Sequence, residues 1–319
     1  MHPLELWQAV ILGLVEGITE YLPVSSTGHL IIASSLMGLQ GGAHQQAVDD
    51  FEIIIQGGAI LAVLGLYWPS VVKMLKGLTG KDPDGFKLLV NLVIAFIPSA
   101  VLGLLMKKWI DAHLFALVPV LVSMFLGAIY MIAADLWGQG RLGPLRAWRS
   151  RDMTIFEVTP RQALMIGLLQ CVSLWPGTSR SMMTITGGMF CGLKPRQAAQ
   201  FSFLLGLPTL TAATLYSLYK NLHEAKKTNT ENLFHELGVT ACVVGIVVAA
   251  VAAAAAVKWL VSFLTKHGLT PFGWYRIALC VVLIALSWSG LVSITKPGPS
   301  KNGGTTVVPP VKWDEPAPR

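Results

Sequence analysis

Residues 13–29 read Gly13-Leu14-Val15-Glu16-Gly17-Ile18-Thr19-Glu20-Tyr21-Leu22-Pro23-Val24-Ser25-Ser26-Thr27-Gly28-His29, and the fold turns on how this stretch is taken. It lies inside an apolar region, Leu4 to Leu39, that Pro23 and the small polar residues after it break halfway. The pattern is helix, break, helix. A second apolar region, Gln162 to Leu193, is broken in the same way, Gly167-Leu168-Leu169-Gln170 running to Pro176-Gly177-Thr178-Ser179-Arg180-Ser181. Non-helical backbone at membrane depth is tolerated only where protein buries it or a wet cavity meets it, because unsatisfied amides in lipid cost several kcal/mol each. Interrupted apolar segments at corresponding positions of two halves point to a binding site at the bilayer midplane. The expectation is a pair of re-entrant helical hairpins whose breaks line one site.

That lipid is the main solvent follows from composition. Of the 319 residues, 53% are hydrophobic and only 13% charged, against about 25% charged in a soluble domain, and the mean hydropathy is +0.60. A bilayer-crossing helix needs about 20 apolar residues. The blocks Phe51 to Trp68, Leu88 to Met106, Leu114 to Trp137, Gln197 to Tyr219, Leu237 to Leu260 and Gly273 to Ile294 meet that length. The predicted fold class is an all-α integral membrane protein: six transmembrane helices plus two re-entrant hairpins in an inverted-topology repeat, its halves being about residues 1–137 and 152–295 of one domain.

Lys and Arg crowd cytoplasmic loops. With that arrangement one side receives Lys73, Lys76, Lys81, Lys87, Arg141, Arg146, Arg149, Arg151, Arg161, Lys194, Arg196, Lys258 and Lys266, and the other Lys107, Lys108, Lys220, Lys226 and Lys227. Thirteen against five makes the first side cytoplasmic and places both termini outside. The first hairpin then enters from the outer face and the second from the cytoplasm, which is what inverts the halves. The net charge of +7 is spread over short loops without aromatic interleaving, so it reflects topology and not a nucleic-acid partner. The four cysteines fall in apolar segments without metal-ligand spacing and read as small apolar fillers. The N-terminal stretch lacks the basic flank and cleavage site of a secretory signal, so no removal is expected. Gly138 to Arg151 reads as a basic cytoplasmic loop, and Lys296 to Arg319, rich in Pro, Gly, Lys and Thr, as a disordered tail.

Glu16 and Glu20 lie one helical turn apart and project from one face. Intramembrane ionisable residues usually mark an ion or substrate path, and two adjacent carboxylates share a proton or bind a cation; the plainer reading is a helix-end pair facing water. Ser25-Ser26-Thr27-Gly28-His29 opens an apolar run as a helix N-terminus does. Such an end binds anions through free amides, and a hydroxyl there is a nucleophile if a base lies near. His29 supplies that base or carries the phosphoryl group itself. The plainer reading is a structural cap, which the histidine and the glutamates argue against. In the second break Arg180 adds the planar fork suited to phosphate oxygens. An arginine at that depth costs at least about 2.5 kcal/mol unless paired, so it needs an anion, either a phosphate or, structurally, Glu16 or Glu20. Gathered in one cavity, these groups suit a diphosphate, with the carboxylates able to hold Mg²⁺ or Ca²⁺ through oxygen ligands.

At these residues the sequence resembles the undecaprenyl-diphosphate phosphatase family of the bacitracin-resistance type. Its glutamate-pair motif matches Glu16 to Glu20, and its proline-glycine-x-serine-arginine-serine motif matches Pro176 to Ser181. Phe51-Glu52-Ile53-Ile54-Ile55-Gln56 and Gln200-Phe201-Ser202-Phe203-Leu204-Leu205 extend the similarity over most of Leu4 to Ile294. The resemblance implies hydrolysis of a polyprenyl diphosphate lipid in the bacterial plasma membrane, recycling the cell-wall lipid carrier. It implies Glu16 and Glu20 as metal ligands or positioners of water, and Ser26 or His29 as nucleophile, Ser26 preferred with Glu20 acting on proton transfer. Arg180 is catalytic by the same resemblance, and Ser25, Thr27, Gly177, Thr178, Ser179 and Ser181 are substrate-binding. Glu157 departs from the family pattern, in which an aspartate is expected. The pocket is expected to open outward.

Inverted repeats with broken helices are also the architecture of transporters and lipid flippases. Phosphoryl transfer uses serine, histidine and paired carboxylates together, whereas a transporter needs no such set. An ion channel with Arg180 paired to a glutamate is the third reading, and it predicts no hydrolysis. Gly57-Gly58 and the Ala252 to Ala256 run permit close helix contact, within one chain or in a homodimer.

Overall fold

The computed structural model describes residues 4–39, 43–139, 153–228 and 237–289. The disordered tail expected from Lys296 and most of the basic loop Gly138 to Arg151 lie outside the described residues. All regular structure among those residues is helical. In chain order the helices are α1 (Leu6–Thr19), α2 (Ser26–Leu36), α3 (Ala43–Leu66), α4 (Trp68–Leu78), α5 (Pro83–His113), α6 (Leu117–Gly138), α7 (Pro160–Cys171), α8 (Arg180–Phe190), α9 (Pro195–Thr228), α10 (Val239–His267) and α11 (Thr270–Trp288). Five of them, α5, α6, α9, α10 and α11, are long and apolar enough to cross a membrane. A sixth crossing counts if Val48–Leu66 of α3 is taken with α4, which bends from it by 80°. Each of the six apolar blocks therefore falls on a helix.

Both interrupted regions are helix, break, helix. α1 opens with the Glu5 backbone N–H donating to Gln8 Oε1 at 3.0 Å, and α7 with the Thr159 N–H donating to Gln162 Oε1 at 2.8 Å, the reciprocal capping arrangement that satisfies orphan amides. Each break then ends on a serine with positive φ, 73° at Ser25 and 78° at Ser179, directly ahead of the return helix. Glu5 to Ser25 and Thr159 to Ser179 span equal lengths of chain, so the breaks correspond serine for serine, Ser25 with Ser179 and Ser26 with Arg180. This register is shifted by one residue from an alignment on the two prolines.

The hairpins pack reciprocally across the chain. α1 lies along α10, and α7 along α5. A Cβ on Gly13 would sit 2.7 Å from the Gly245 carbonyl oxygen, and one on Gly167 would collide with the Ala95 carbonyl in the corresponding way. Only glycine lets the backbones meet so closely. Gly58 of α3 and Ala253 and Ala256 of α10 are buried against neighbours inside this one chain, so these small residues are already occupied. Cys242 and Cys280 are buried and all four cysteines are free, as apolar fillers would be.

α4 was not expected, since Lys73 and Lys76 were assigned to a loop. Pro69 near its start lacks the N–H that would continue α3, and the chain turns at Tyr67. Ser70, Val71, Met74 and Gly77 then face inward while both lysines face out. Its eleven residues are too short to span but sufficient for a surface helix. Before α7, the exposed Glu157 accepts from the Thr154 backbone N–H at 2.6 Å and its hydroxyl at 2.9 Å, which holds its carboxyl below the usual range.

The main apolar core surrounds α8, of which Ser181 to Met189 are all buried. α2 buries only Gly28, Leu30 and Ser34. The return helix α8 of the second hairpin is thus enclosed by protein, and the return helix α2 of the first keeps one face open.

Candidate active site

The two breaks meet. Ser26, at the start of α2, donates its hydroxyl to Glu20 Oε2 at 2.9 Å, and Arg180, at the start of α8, donates from one terminal nitrogen to Glu20 Oε1 at 3.2 Å. One carboxylate therefore links a hydroxyl from one hairpin to a guanidinium from the other. Ser181 closes the junction by donating to the Leu22 carbonyl at 2.9 Å. Arg180 gives its other terminal nitrogen to the Ser202 carbonyl at 3.2 Å, lies 5.5 Å from the Tyr21 ring centre, and keeps Nε buried without a partner. Gly206 makes room for it, since a Cβ there would come within 2.9 Å of the guanidinium. An orphaned buried N–H on a charged group is costly and stands ready for an anion.

Glu16, one turn before Glu20, is only 2% exposed. Glu20 and Glu52 are close enough to act on it electrostatically. The N-termini of α2 and α8 both face the breaks. Ser25, at the cap position of α2, makes no side-chain capping bond, so the first-turn amides of Ser26, Thr27 and Gly28 are left for another acceptor. On α8 the Ser179 hydroxyl accepts from the Met182 N–H at 3.3 Å and contacts the Ser181 hydroxyl at 3.0 Å. Gly177 and Thr178 turn their carbonyls to Arg276, which donates to them at 2.8 and 3.0 Å.

His29 lies one turn past Ser25, as its spacing suggested, and both ring nitrogens are engaged. Its Nδ1 meets the Ser25 carbonyl at 2.7 Å and its Nε2 the Tyr275 hydroxyl at 2.7 Å, with no bond to Ser26. Tyr275 and Arg276 were missed from the sequence. Arg276 is fully buried inside an apolar span, and a cation in such a position is itself a signal; Tyr275 carries none.

As to a metal, no group of three or more His, Cys, Asp or Glu side chains forms a preformed cage among the described residues. Of the carboxylates here, Glu16 and Glu20 lie one helical turn apart, and oxygen ligands of this kind, completed by water and phosphate oxygens, are the type a hard cation such as Mg²⁺ takes.

Residues 9–282 match the family described as bacitracin resistance protein BacA. The chain is 47% identical over 288 residues to undecaprenyl-diphosphatase 2 of Rhodospirillum rubrum, covering 90% of this chain and 97% of that one. It is 40% identical to the undecaprenyl-diphosphatase of a Polaromonas species, over 91% of this chain and 98% of that one. To the undecaprenyl-diphosphatase of Sorangium cellulosum it is 42% identical, over 88% of this chain and 86% of the relative. With a single family covering both hairpins and the helices that hold them together, the chain belongs to the bacitracin resistance protein BacA family.

Proposed function

We propose that this multi-pass membrane protein hydrolyses undecaprenyl diphosphate to undecaprenyl phosphate and inorganic phosphate, recycling the lipid carrier of cell-wall synthesis and conferring bacitracin resistance. The observation that carries the chemistry is the chain of bonds from Ser26 through Glu20 to Arg180. Ser26 Oγ attacks the terminal phosphorus while Glu20 takes its proton, a carboxylate at 2.9 Å being within reach of that transfer. The new Oγ–P bond forms as the anhydride P–O bond breaks, and undecaprenyl phosphate leaves. Water then cleaves the phosphoserine, with Glu20 again moving the proton. Arg180, through its unpartnered Nε, and the amides opening α2 and α8 stabilise the charge that develops on the phosphoryl oxygens. Ser179 and Ser181 hold the second turn against the first, and Glu16 and Glu20 would ligate Mg²⁺ or Ca²⁺, which when bound neutralises phosphate charge.

The two breaks lie within the bilayer in this reading, as tips of re-entrant hairpins. α1 and α7, with 14 and 12 residues, extend roughly 21 and 18 Å at the α-helical rise. Neither reaches across a hydrocarbon core of about 30 Å. Entering from opposite faces, they meet, and the reciprocal α1–α10 and α7–α5 packing supports the inverted repeat. The open face of α2 gives a lipid tail a place to remain in the bilayer while the diphosphate enters. The thirteen-to-five distribution of Lys and Arg supports an opening that faces outward across the inner membrane. A homodimer would have to pair through a face other than the small residues already packed within the chain.

The test is phosphate release from a long-chain prenyl diphosphate by purified protein in detergent, with and without EDTA. Wild type releases phosphate, EDTA suppresses it, and Ser26→Ala abolishes it; a wild-type chain that releases none overturns the reading.

A further inference from the structure

The BacA site is built on two serines in left-handed backbone, Ser25 and Ser179, with φ of 73° and 78°. Non-glycine residues hold such a conformation only where their surroundings determine it. The Ser123 hydroxyl of α6 donates to the Pro176 carbonyl at the second turn, and one helix, α11, reaches both turns. Arg276 of α11 donates to the carbonyls of Gly177 and Thr178, the two residues leading into Ser179. Tyr275, its neighbour in sequence, reaches the other turn through His29, whose Nδ1 lies 2.7 Å from the carbonyl of Ser25 itself. A carbonyl oxygen can only accept, so Nδ1 carries the proton, and in the neutral ring Nε2 is left to accept from the Tyr275 hydroxyl. The imidazole and phenol rings stack at 5.6 Å with 4° between their planes. Both ring nitrogens are thus engaged away from Ser26, whose hydroxyl already has Glu20.

We propose that His29 acts by position and not by proton or phosphoryl transfer: it ties the Ser25 carbonyl to Tyr275, and Tyr275 and Arg276 together set the two serine turns at the site. The amide plane joining Ser25 to Ser26 carries both the carbonyl that His29 holds and the first N–H of α2. Fixing that plane fixes where Ser26 Oγ points and where the leading amide of the anion site lies. Tyr275 is a positioning residue in this scheme, as is His29, and α11 becomes the common reference for both halves. The proposal rests on the hydrolase reading and assigns the part of His29 within it.

The experiment compares kcat and KM of the full chain in detergent on a long-chain prenyl diphosphate, for Tyr275→Phe, His29→Asn, His29→Ala and the double variant His29→Asn with Tyr275→Phe. The asparagine amide keeps a donor where Nδ1 stood but has no ring to transfer a proton or accept a phosphoryl group. Tyr275→Phe is expected to lower kcat about tenfold at unchanged KM, the effect of a slightly misplaced reacting group. His29→Asn should stay within about tenfold of wild type while His29→Ala loses about a hundredfold, the larger effect of releasing the turn. Adding Tyr275→Phe to His29→Asn should cause no further loss, since the shorter side chain no longer meets the phenol. His29→Asn as inactive as His29→Ala would overturn the proposal, because the ring itself would then be needed. So would Tyr275→Phe indistinguishable from wild type, or losses that multiply in the double variant. Should His29→Ala not elute as a folded species, the phenylalanine and asparagine variants decide alone. A wild-type chain without phosphate release would sink the hydrolase reading instead, a result separate from any pattern among the variants.

Discussion

Arg180 works through three separate nitrogens, one on Glu20, one on the Ser202 carbonyl and one, Nε, without a partner. A lysine could replace the charge but not this fork. Arg180→Lys is therefore expected to lower kcat by about 10²–10³, the scale of losing one stabiliser of transition-state charge, measured as phosphate release at saturating lipid; an activity within a factor of two would show that charge alone suffices. Arg276 predicts the opposite division between activity and stability. It is fully buried, and its partners are backbone carbonyls of Gly177, Thr178 and Met124. Arg276→Met strands those acceptors at about 1–3 kcal/mol for each one left unsatisfied, so the thermal midpoint in detergent should fall before any assay is run. These two arginines also mark what was legible. Glu16, Glu20, Ser26 and Arg180 could be picked out because polar groups sit beside a break in an apolar run. Arg276 sits in an unbroken run and was absorbed into the span, and Tyr275 looks like any aromatic residue on a membrane helix. That His29 faces Tyr275 depends on α11 packing beside α2, which no local pattern encodes.

At the scale of helices, the apolar blocks could be read because membrane length is a simple constraint, and the hairpins because proline and serine clusters interrupt it. What could not be read was which helices touch. α1 contacts α10 and α7 contacts α5 across the length of the chain, and the signal for this, Gly13 and Gly167, has meaning only once the facing carbonyls of Gly245 and Ala95 are in view. The contact makes a paired prediction. Gly13→Val must push α1 off α10, an overpacking that typically costs about 1–3 kcal/mol, and should lower the thermal midpoint and the yield of monodisperse protein. Gly57→Ala, on α3, meets nothing within 4 Å and should be neutral or gain up to about 1 kcal/mol from better helix propensity. Equal behaviour of the two variants would mean that the α1–α10 interface tolerates separation. α4 was missed for a related reason: eleven residues with two outward lysines give a loop-like charge count, and only the 80° bend separates a surface helix from a loop.

For the whole molecule, the orientation of the site follows from charge counting and can be tested without reference to catalysis. If the basic-rich side is cytoplasmic, Lys81, exposed in the turn between α4 and α5, faces inward, and Lys108, exposed near the far end of α5, faces outward. α5 is the right object for the test because it crosses unaided: its 31 residues span about 46 Å at the helical rise, more than the hydrocarbon core of about 30 Å. In a chain whose four native cysteines are replaced by alanine, Lys108→Cys should react with a membrane-impermeant maleimide in intact cells. Lys81→Cys should react only after lysis. The orientation of α5 then carries that of the site, because α7 runs parallel to α5, with Asn91 meeting the Val158 carbonyl, Ala95 meeting Gly167 and Ser99 meeting Gln170, and α1, which in the proposed inverted repeat enters from the opposite face, follows. The reverse labelling would turn the opening beside α2 toward the cytoplasm. The same chemistry would then act on lipid in the inner leaflet, and the hydrolase would have to serve lipid made inside the cell instead of carrier released outside it.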